Sequence, residues 1–274
     1  MAQTQQNMET RFGADSALVE GISGIVLEAG EIMRKAHVER AEIVAKEGHK
    51  NFVTKYDTAV QSFLEEKLSA LHPAAHFFAE EDAEHDTAML EKGDVFVIDP
   101  IDGTSNFMKG FFPSTISVGM FRDGVPYLGV ILVPASGDLF RAVRGCGSWR
   151  GEERIHTAEN SLGDSIAVFG TSVYYGDEII HKALRTAEFY VKRCIDVRRT
   201  GCASYDICMV ACGAAGIFAE PVLQIWDFSA AAVILEEAGG KITDFEGKPL
   251  TFRGASTIVA ASAGVLKEDY LPVV

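Results

Sequence analysis

The stretch that most constrains this chain runs from Asp94 to Phe107 and reads Asp-Val-Phe-Val-Ile-Asp-Pro-Ile-Asp-Gly-Thr-Ser-Asn-Phe. Val95 to Ile98 is a β-branched and aromatic run, the mark of a short buried strand that delivers the carboxylate of Asp99 at its C-terminal end. Pro100 has no N–H for a ladder, so the strand is expected to stop there. Asp102 comes three residues after Asp99. Gly103-Thr104-Ser105 then allows a sharp turn into a helix whose first N–H groups lack intrahelical partners. Two carboxylates and an anion cradle therefore share one turn. Carboxylates this close repel each other beside an apolar strand unless a cation neutralises them. Hard oxygen ligands suit Mg²⁺, which is commonly shared with substrate phosphate. The same pattern also fits a helix cap or an Asx turn, and taken alone it leaves both readings open.

The rest of the chain is that of an ordinary globular protein. With 274 residues, 47% of them hydrophobic, it can form one large or two modest cores and bury roughly 70–75% of its unfolded surface. A formal charge of −14 argues against non-specific binding to nucleic acid or an anionic membrane, and a phosphorylated small substrate would need metal ions to screen its approach. The five cysteines, Cys146, Cys194, Cys202, Cys208 and Cys212, form no C-x-x-C pair, which fits buried thiols in a reduced cytoplasmic setting. Residues 1–14 are polar and carry no signal-peptide pattern, and no apolar run approaches the ~20 residues a bilayer requires. The seven histidines are scattered and read as structural or surface groups.

Along the chain, Leu18, Ile22, Ile25, Ala29, Ile32 and Ala36 follow helical spacing behind possible N-caps at Asp15 and Ser16. A Gly turn and short strand over 46–54 lead to Asp57, at the start of a helix with Val60, Phe63, Leu64, Leu68 and Leu71 on one face. His76 to Ala79 reads as a strand ending at Glu80, within an acidic cluster that would otherwise pass for a solvated loop. If this strand neighbours the one ending at Asp99, the two carboxylates converge. Ser114 to Phe121 and Val125 to Val133 flank the hairpin signal Arg122-Asp-Gly124, and Leu139 to Val143 follows. Beyond a Gly-rich boundary near 144–154, strand and helix alternate as in an α/β layer. Gly201 to Asp206 opens a small-residue helix, fitted either for a substrate oxygen or for close packing. Gly216 to Ala219 is a strand ending at Glu220. Trp226-Asp227 opens an apolar helix stopped by Gly239-Gly240, with Asp227 readable as an N-cap.

Four blocks together resemble the inositol monophosphatase-like family of Mg²⁺-dependent phosphatases. They are Asn51-Phe-Val-Thr-Lys-Tyr-Asp57, Ala79-Glu-Glu-Asp82, Asp99-Pro-Ile-Asp-Gly-Thr-Ser-Asn-Phe107, and Trp226-Asp-Phe-Ser-Ala-Ala231 with Glu237-Ala-Gly-Gly240. The resemblance implies a layered α/β/α/β/α sandwich of the inositol monophosphatase and fructose-1,6-bisphosphatase type. Residues 1–154 would form an N-terminal α+β half carrying most metal ligands, and 155–274 a C-terminal α/β half carrying Asp227 and the substrate contacts. It further implies two or three Mg²⁺ ions: Glu80, Asp99 and the Ile101 carbonyl on the first, Asp99, Asp102 and Asp227 on the second, and a weaker third near Glu80. Thr104, oriented by Asp57, would place the attacking water, with Glu80 also in the catalytic set. Asp102, Gly103, Thr104, Ala203, Glu220 and Asp227 would contact substrate, with a hydroxyl of Thr171-Ser172 as a further contributor.

The implied activity is hydrolysis of inositol monophosphate or a similar small polyol or sugar phosphate, by a cytoplasmic homodimer without nucleic-acid or membrane partners. Alternatives on the same scaffold are a fructose-1,6-bisphosphatase, a 3′-nucleotide phosphatase, a histidinol-phosphatase, or a non-catalytic regulatory binding protein. Ala79, Ser105 and Asn51 depart from residues common in the family. Asn51 replaces a frequent Asp and so carries no charge at that position.

Overall fold

The computed structural model describes residues 11–36, 43–45, 52–173 and 175–270. In chain order its main elements are α1 (Ser16–Arg34), β1 (Ile43–Ala45), β2 (Phe52–Thr54), α2 (Lys55–Leu71), β3 (His76–Ala79), β4 (Asp94–Asp102), α3 (Thr104–Lys109), β5 (Thr115–Arg122), β6 (Val125–Val133), β7 (Asp138–Val143), β8 (Gly147–Arg150) and β9 (Glu153–Ile155). There follow β10 (Ile166–Phe169), α4 (Asp177–Val191), β11 (Asp196–Arg198), α5 (Ala203–Ala211), β12 (Ile217–Leu223), α6 (Ile225–Glu237), β13 (Lys241–Thr243) and β14 (Ser256–Ala261). A seven-stranded sheet in the order β3-β4-β5-β6-β7-β8-β9 and a five-stranded sheet in the order β11-β10-β12-β14-β13 are its two large layers. Helices α1 and α2 cover the first sheet, α5 and α6 lie between the sheets, and α4 packs on the second. This is the expected α/β/α/β/α arrangement.

Position in the layers explains composition. Helix α6 is apolar nearly all round, from Phe228 through Leu235, because it is enclosed by both sheets. It approaches the first sheet so closely that a Cβ on Gly129 of β6 would lie 2.2 Å from the Ala230 carbonyl oxygen. Helices α1 and α2 are one-sided instead. Helix α1 buries Val19, Ile22, Val26, Ala29 and Met33, while Leu18, Ile25 and Ile32 are only partly covered, so its core stripe is rotated from the expected face. Neither expected N-cap of α1 acts as one: Asp15 accepts instead from the Tyr127 hydroxyl at 2.6 Å and from Arg122, and the Ser16 hydroxyl turns back to the Gly13 carbonyl.

Helix α2 starts with a capping box in which the Thr54 N–H donates to Asp57 Oδ2 at 2.8 Å. Val60, Leu64 and Leu68 face its core, whereas Leu71 in the last turn is 37% exposed. The hairpin between β5 and β6 turns at Asp123 and Gly124, both at positive φ (50° and 82°), as a two-residue primed turn requires. Asn51 and the turn expected over 46–51 lie outside the described residues.

Two strand ends differ from expectation. Pro100 does not end β4, which pairs with β5 as far as Asp99 opposite Ser117, slips, and pairs again at Asp102 opposite Thr115. The proline falls in the slip, where no ladder N–H is needed, and the Ile101 N–H is satisfied by Asp99 Oδ1 at 3.0 Å. Glu220 likewise is not terminal: β12 continues to Leu223, with a register shift against β14 after Glu220.

Candidate functional site

The two sheets meet at a cleft of about 140 Å³. Strands β3 and β4 run parallel, with Ala79 opposite Ile98, and the Glu80 N–H donates to the Ile98 carbonyl at 3.0 Å. Glu80, just past the end of β3, and Asp99, next after Ile98 within β4, therefore stand side by side. The slip in β4 turns Asp102 back toward the same space. From the second half, the first turn of α6 brings Asp227, which acts as the N3 residue of a capping box and not as the N-cap, accepting from the Gln224 N–H at 2.7 Å through Oδ2. Glu80, Asp99, Ile101, Asp102 and Asp227 all line the cleft.

Their electrostatics are those of like charges held near one another. Burial, followed by the charges of Glu80, Asp102 and Asp227, drives the Asp99 carboxyl well above the usual range. Asp227 rises similarly, through burial and then the charges of Asp102 and Glu80. Burial also raises Asp102, but donors from the start of α5 oppose it: the Ser204 hydroxyl at 2.6 Å, the Ser204 N–H at 2.7 Å and the Cys202 thiol at 3.2 Å, all on Oδ2. Among the described residues, no group of three or more His, Cys, Asp or Glu side chains is gathered closely enough to hold a metal ion as it stands. The donor set is nevertheless entirely hard oxygen, with one oxygen of Asp102 and one of Asp227 engaged by the helix starts. Such a set fits Mg²⁺ better than a metal that prefers sulfur or nitrogen.

Beside the carboxylates, Gly103 turns the chain at φ 80° into α3, and a Cβ there would come within 3.1 Å of the Pro113 carbonyl and 3.2 Å of Cys202 Cβ. Glycine is thus fixed by conformation and space together. The Thr104 hydroxyl lies 3.0 Å from the Ile101 carbonyl and 3.4 Å from Asp57 Oδ1. Asp57 is raised by burial despite donation from Thr54, whose hydroxyl lies 2.6 Å from Oδ2. Glu80 and Thr104 line the cleft, whereas Asp57 is buried outside the lining, within reach of the Thr104 hydroxyl.

The opposite wall belongs to the second half. Glu220 accepts at Oε1 from the Ser172 N–H (3.1 Å) and hydroxyl (2.9 Å), and burial pushes its pKa to about 7. Ala203 also lines the wall, and its N–H acts on Asp102. Gly201 and Asp206, the ends of the stretch read from sequence as fitted for a substrate oxygen, also line the cleft, as does Arg199, which was not singled out from sequence. Arg199 is exposed and donates to the Thr171 hydroxyl at 3.1 Å. Asp206 is buried, accepts from the Thr200 hydroxyl at 2.6 Å, and has its carboxyl raised well above the usual range by burial. The Arg198-Arg199 pair just before the Gly201 loop, in a chain this acidic, was the available signal for a cation at the cleft.

A cleft where carboxylates from both halves meet a glycine-turned helix start, on a layered α/β scaffold, is of the kind found in phosphatases. The chain belongs to the inositol monophosphatase family, whose sequence profile matches residues 15–274. It is 31% identical over 241 residues to the fructose-1,6-bisphosphatase/inositol-1-monophosphatase of Thermotoga maritima, covering 87% of this chain and 88% of the relative. It is 32% identical over 219 residues to the putative Nus factor SuhB of Neisseria meningitidis serogroup B, covering 80% and 82%. The inositol-monophosphate-bound structure of staphylococcal IMPase-II superposes with a TM-score of 0.78 at 28% identity, covering 93% of each chain. No described helix is long and apolar enough to cross a membrane.

Proposed function

We propose that the protein is an Mg²⁺-dependent phosphomonoesterase acting on inositol monophosphate or a similar small polyol or sugar phosphate. The observation that carries this reading is the convergence of Glu80, Asp99, Asp102 and Asp227 on one cleft beside the Gly103–Thr104 turn. Glu80, Asp99 and the Ile101 carbonyl would hold one ion, and Asp99, Asp102 and Asp227 a second, with a weaker third near Glu80. When bound, the ions supply Lewis-acid charge for the phosphoryl group and lower the pKa of water. The protein's own groups do the rest. Thr104 Oγ1 accepts from the attacking water while its proton is shared between Asp57 Oδ1 and the Ile101 carbonyl. Asp57, held by two donors from Thr54, keeps that hydroxyl in place. The Gly103 and Thr104 N–H groups receive phosphate oxygens. Glu220, Ala203 and the Ser172 hydroxyl face the alcohol part of the substrate, where hydroxyl donors match a carboxylate.

The setting is cytoplasmic, and the acting form is a homodimer without nucleic-acid or membrane partners; the acidic charge and the family support this. The relative named as a Nus factor favours a second reading, a regulatory binding protein on the same scaffold. Phosphate release from inositol 1-phosphate, fructose 1,6-bisphosphate, a 3′-phosphonucleotide and histidinol phosphate separates the alternatives. Fastest turnover on the inositol ester supports the proposal, and preference for the nucleotide removes the polyol reading. Absence of turnover on all four by the folded protein in Mg²⁺ transfers support to the binding role.

A further inference from the structure

Asp102 is held from outside the cleft by groups of the other half of the chain. Its Oδ2 receives the N–H and the hydroxyl of Ser204, the second residue of α5, at 2.7 and 2.6 Å. The Ser204 hydroxyl has one proton and gives it to Asp102, so the Thr115 hydroxyl, 2.6 Å away, must donate to Ser204. Thr115 and Ser204 are both fully buried and Asp102 is 8% exposed. Thr115 also stands opposite Asp102 in the β4–β5 register, so the relay closes on itself through β4, β5 and the start of α5.

We infer that Ser204 is a positioning residue for the metal site, turning Asp102 so that Oδ1 is presented to the cleft, and that Thr115 holds the Ser204 hydroxyl in that role. The inference rests on the phosphatase reading above. Two donors from one residue on one carboxylate oxygen fix the torsion of the side chain and leave the other oxygen for the cation. Removal of the hydroxyl leaves Thr115 Oγ1 buried with only the weak Cys202 thiol at 3.5 Å, and leaves Asp102 held by the N–H groups of Ala203 and Ser204 and by the thiol. The same carboxylate thus links docking of α5 onto the first sheet with cation binding, so that each favours the other.

Calorimetric titration of Mg²⁺ into the substrate-free protein tests this with four proteins: the parent, Ser204→Ala, Ser204→Thr and Thr115→Val. Ser204→Ala is expected to bind Mg²⁺ about 10- to 100-fold more weakly, the range seen when outer partners of metal ligands are removed, and Thr115→Val more weakly than the parent by a smaller factor. Ser204→Thr, which keeps the hydroxyl, is expected to restore binding to within about threefold of the parent. In turnover, Ser204→Ala should lower kcat and raise the Mg²⁺ needed for half-maximal rate while KM for substrate changes little. Parent-like Mg²⁺ affinity in a folded Ser204→Ala overturns the inference. If that variant does not fold, unchanged affinity in Thr115→Val overturns it equally. A parent that binds no Mg²⁺ overturns the phosphatase reading as well, whereas a binding parent matched by its variants overturns the positioning role alone.

Discussion

Glu220→Gln isolates one buried carboxyl on the wall opposite the metal-ligand candidates. Burial moves Glu220 from its ordinary 4.5 to about 7 in the folded protein, against the opposing pull of the Ser172 donors. The folded state therefore keeps a proton that the unfolded chain has already released. That contribution to stability is complete below about pH 4.5 and is lost as pH rises through about 7. The separation corresponds to about 3 kcal/mol, since each pKa unit is worth about 1.4 kcal/mol. Gln keeps the acceptor for the Ser172 N–H and hydroxyl but cannot ionise. Urea unfolding of parent and variant in chelator, between about pH 4.5 and 8, measures the effect. Asp57, Asp99, Asp102, Asp206 and Asp227 also titrate upward from their usual range, and subtraction cancels them to first order. The stability of the parent relative to the variant should fall by about 3 kcal/mol across that span. A difference constant to about 0.5 kcal/mol refutes the assigned protonation, because surface-like carboxyls change stability by no more than that.

The other predictions concern the same cleft. Asp99→Asn removes the carboxyl most surrounded by like charge and should stabilise the chelated protein by at least about 1 kcal/mol in thermal or urea unfolding. Asp102→Asn should gain less, because Ser204 and Cys202 already stabilise the Asp102 charge. Gly170→Ala places a Cβ about where the Glu220 carboxyl now sits, 1.9 Å from Oε2. It should raise KM for a polyol phosphate more than it lowers kcat, as steady-state kinetics would show. Thr104→Ala should lower kcat by about 10²- to 10⁴-fold, as for loss of a proton-handling group, with Thr104→Ser recovering most of it.

Residue by residue, what the sequence made legible was local, and the layered arrangement was legible only through the resemblance to the family. Val95–Ile98 announced a buried strand, Gly103-Thr104 a turn into a helix, and Asp123-Gly124 a hairpin, because each depends on residues adjacent in the chain. The sequence left the pairing of β3 with β4 as the condition for Glu80 and Asp99 to meet, and the parallel register of Ala79 with Ile98 fulfils it. Contacts remote in sequence were not readable. The donors on Asp102 come from about a hundred residues away, and no propensity marks Ser204 as their source. Pro100 and Glu220 were misplaced relative to their strands because register slips are fixed by the neighbouring strand. The buried stripe of α1 was misjudged since two adjacent stripes are both apolar and the sheet beneath selects one. Asp227 combined two roles the sequence presented as rivals, helix capping and lining the cleft. Its carboxylate has two oxygens, and one is enough for the cap.

Metal-dependent hydrolysis at this cleft is tested most directly by phosphate release from inositol 1-phosphate by the parent and Asp99→Asn, each in Mg²⁺ and in chelator. The account predicts release by the parent in Mg²⁺ alone, with chelator and Asp99→Asn each reducing it by orders of magnitude. Release by the parent that persists in chelator, or that Asp99→Asn retains at the parent's rate, would contradict it.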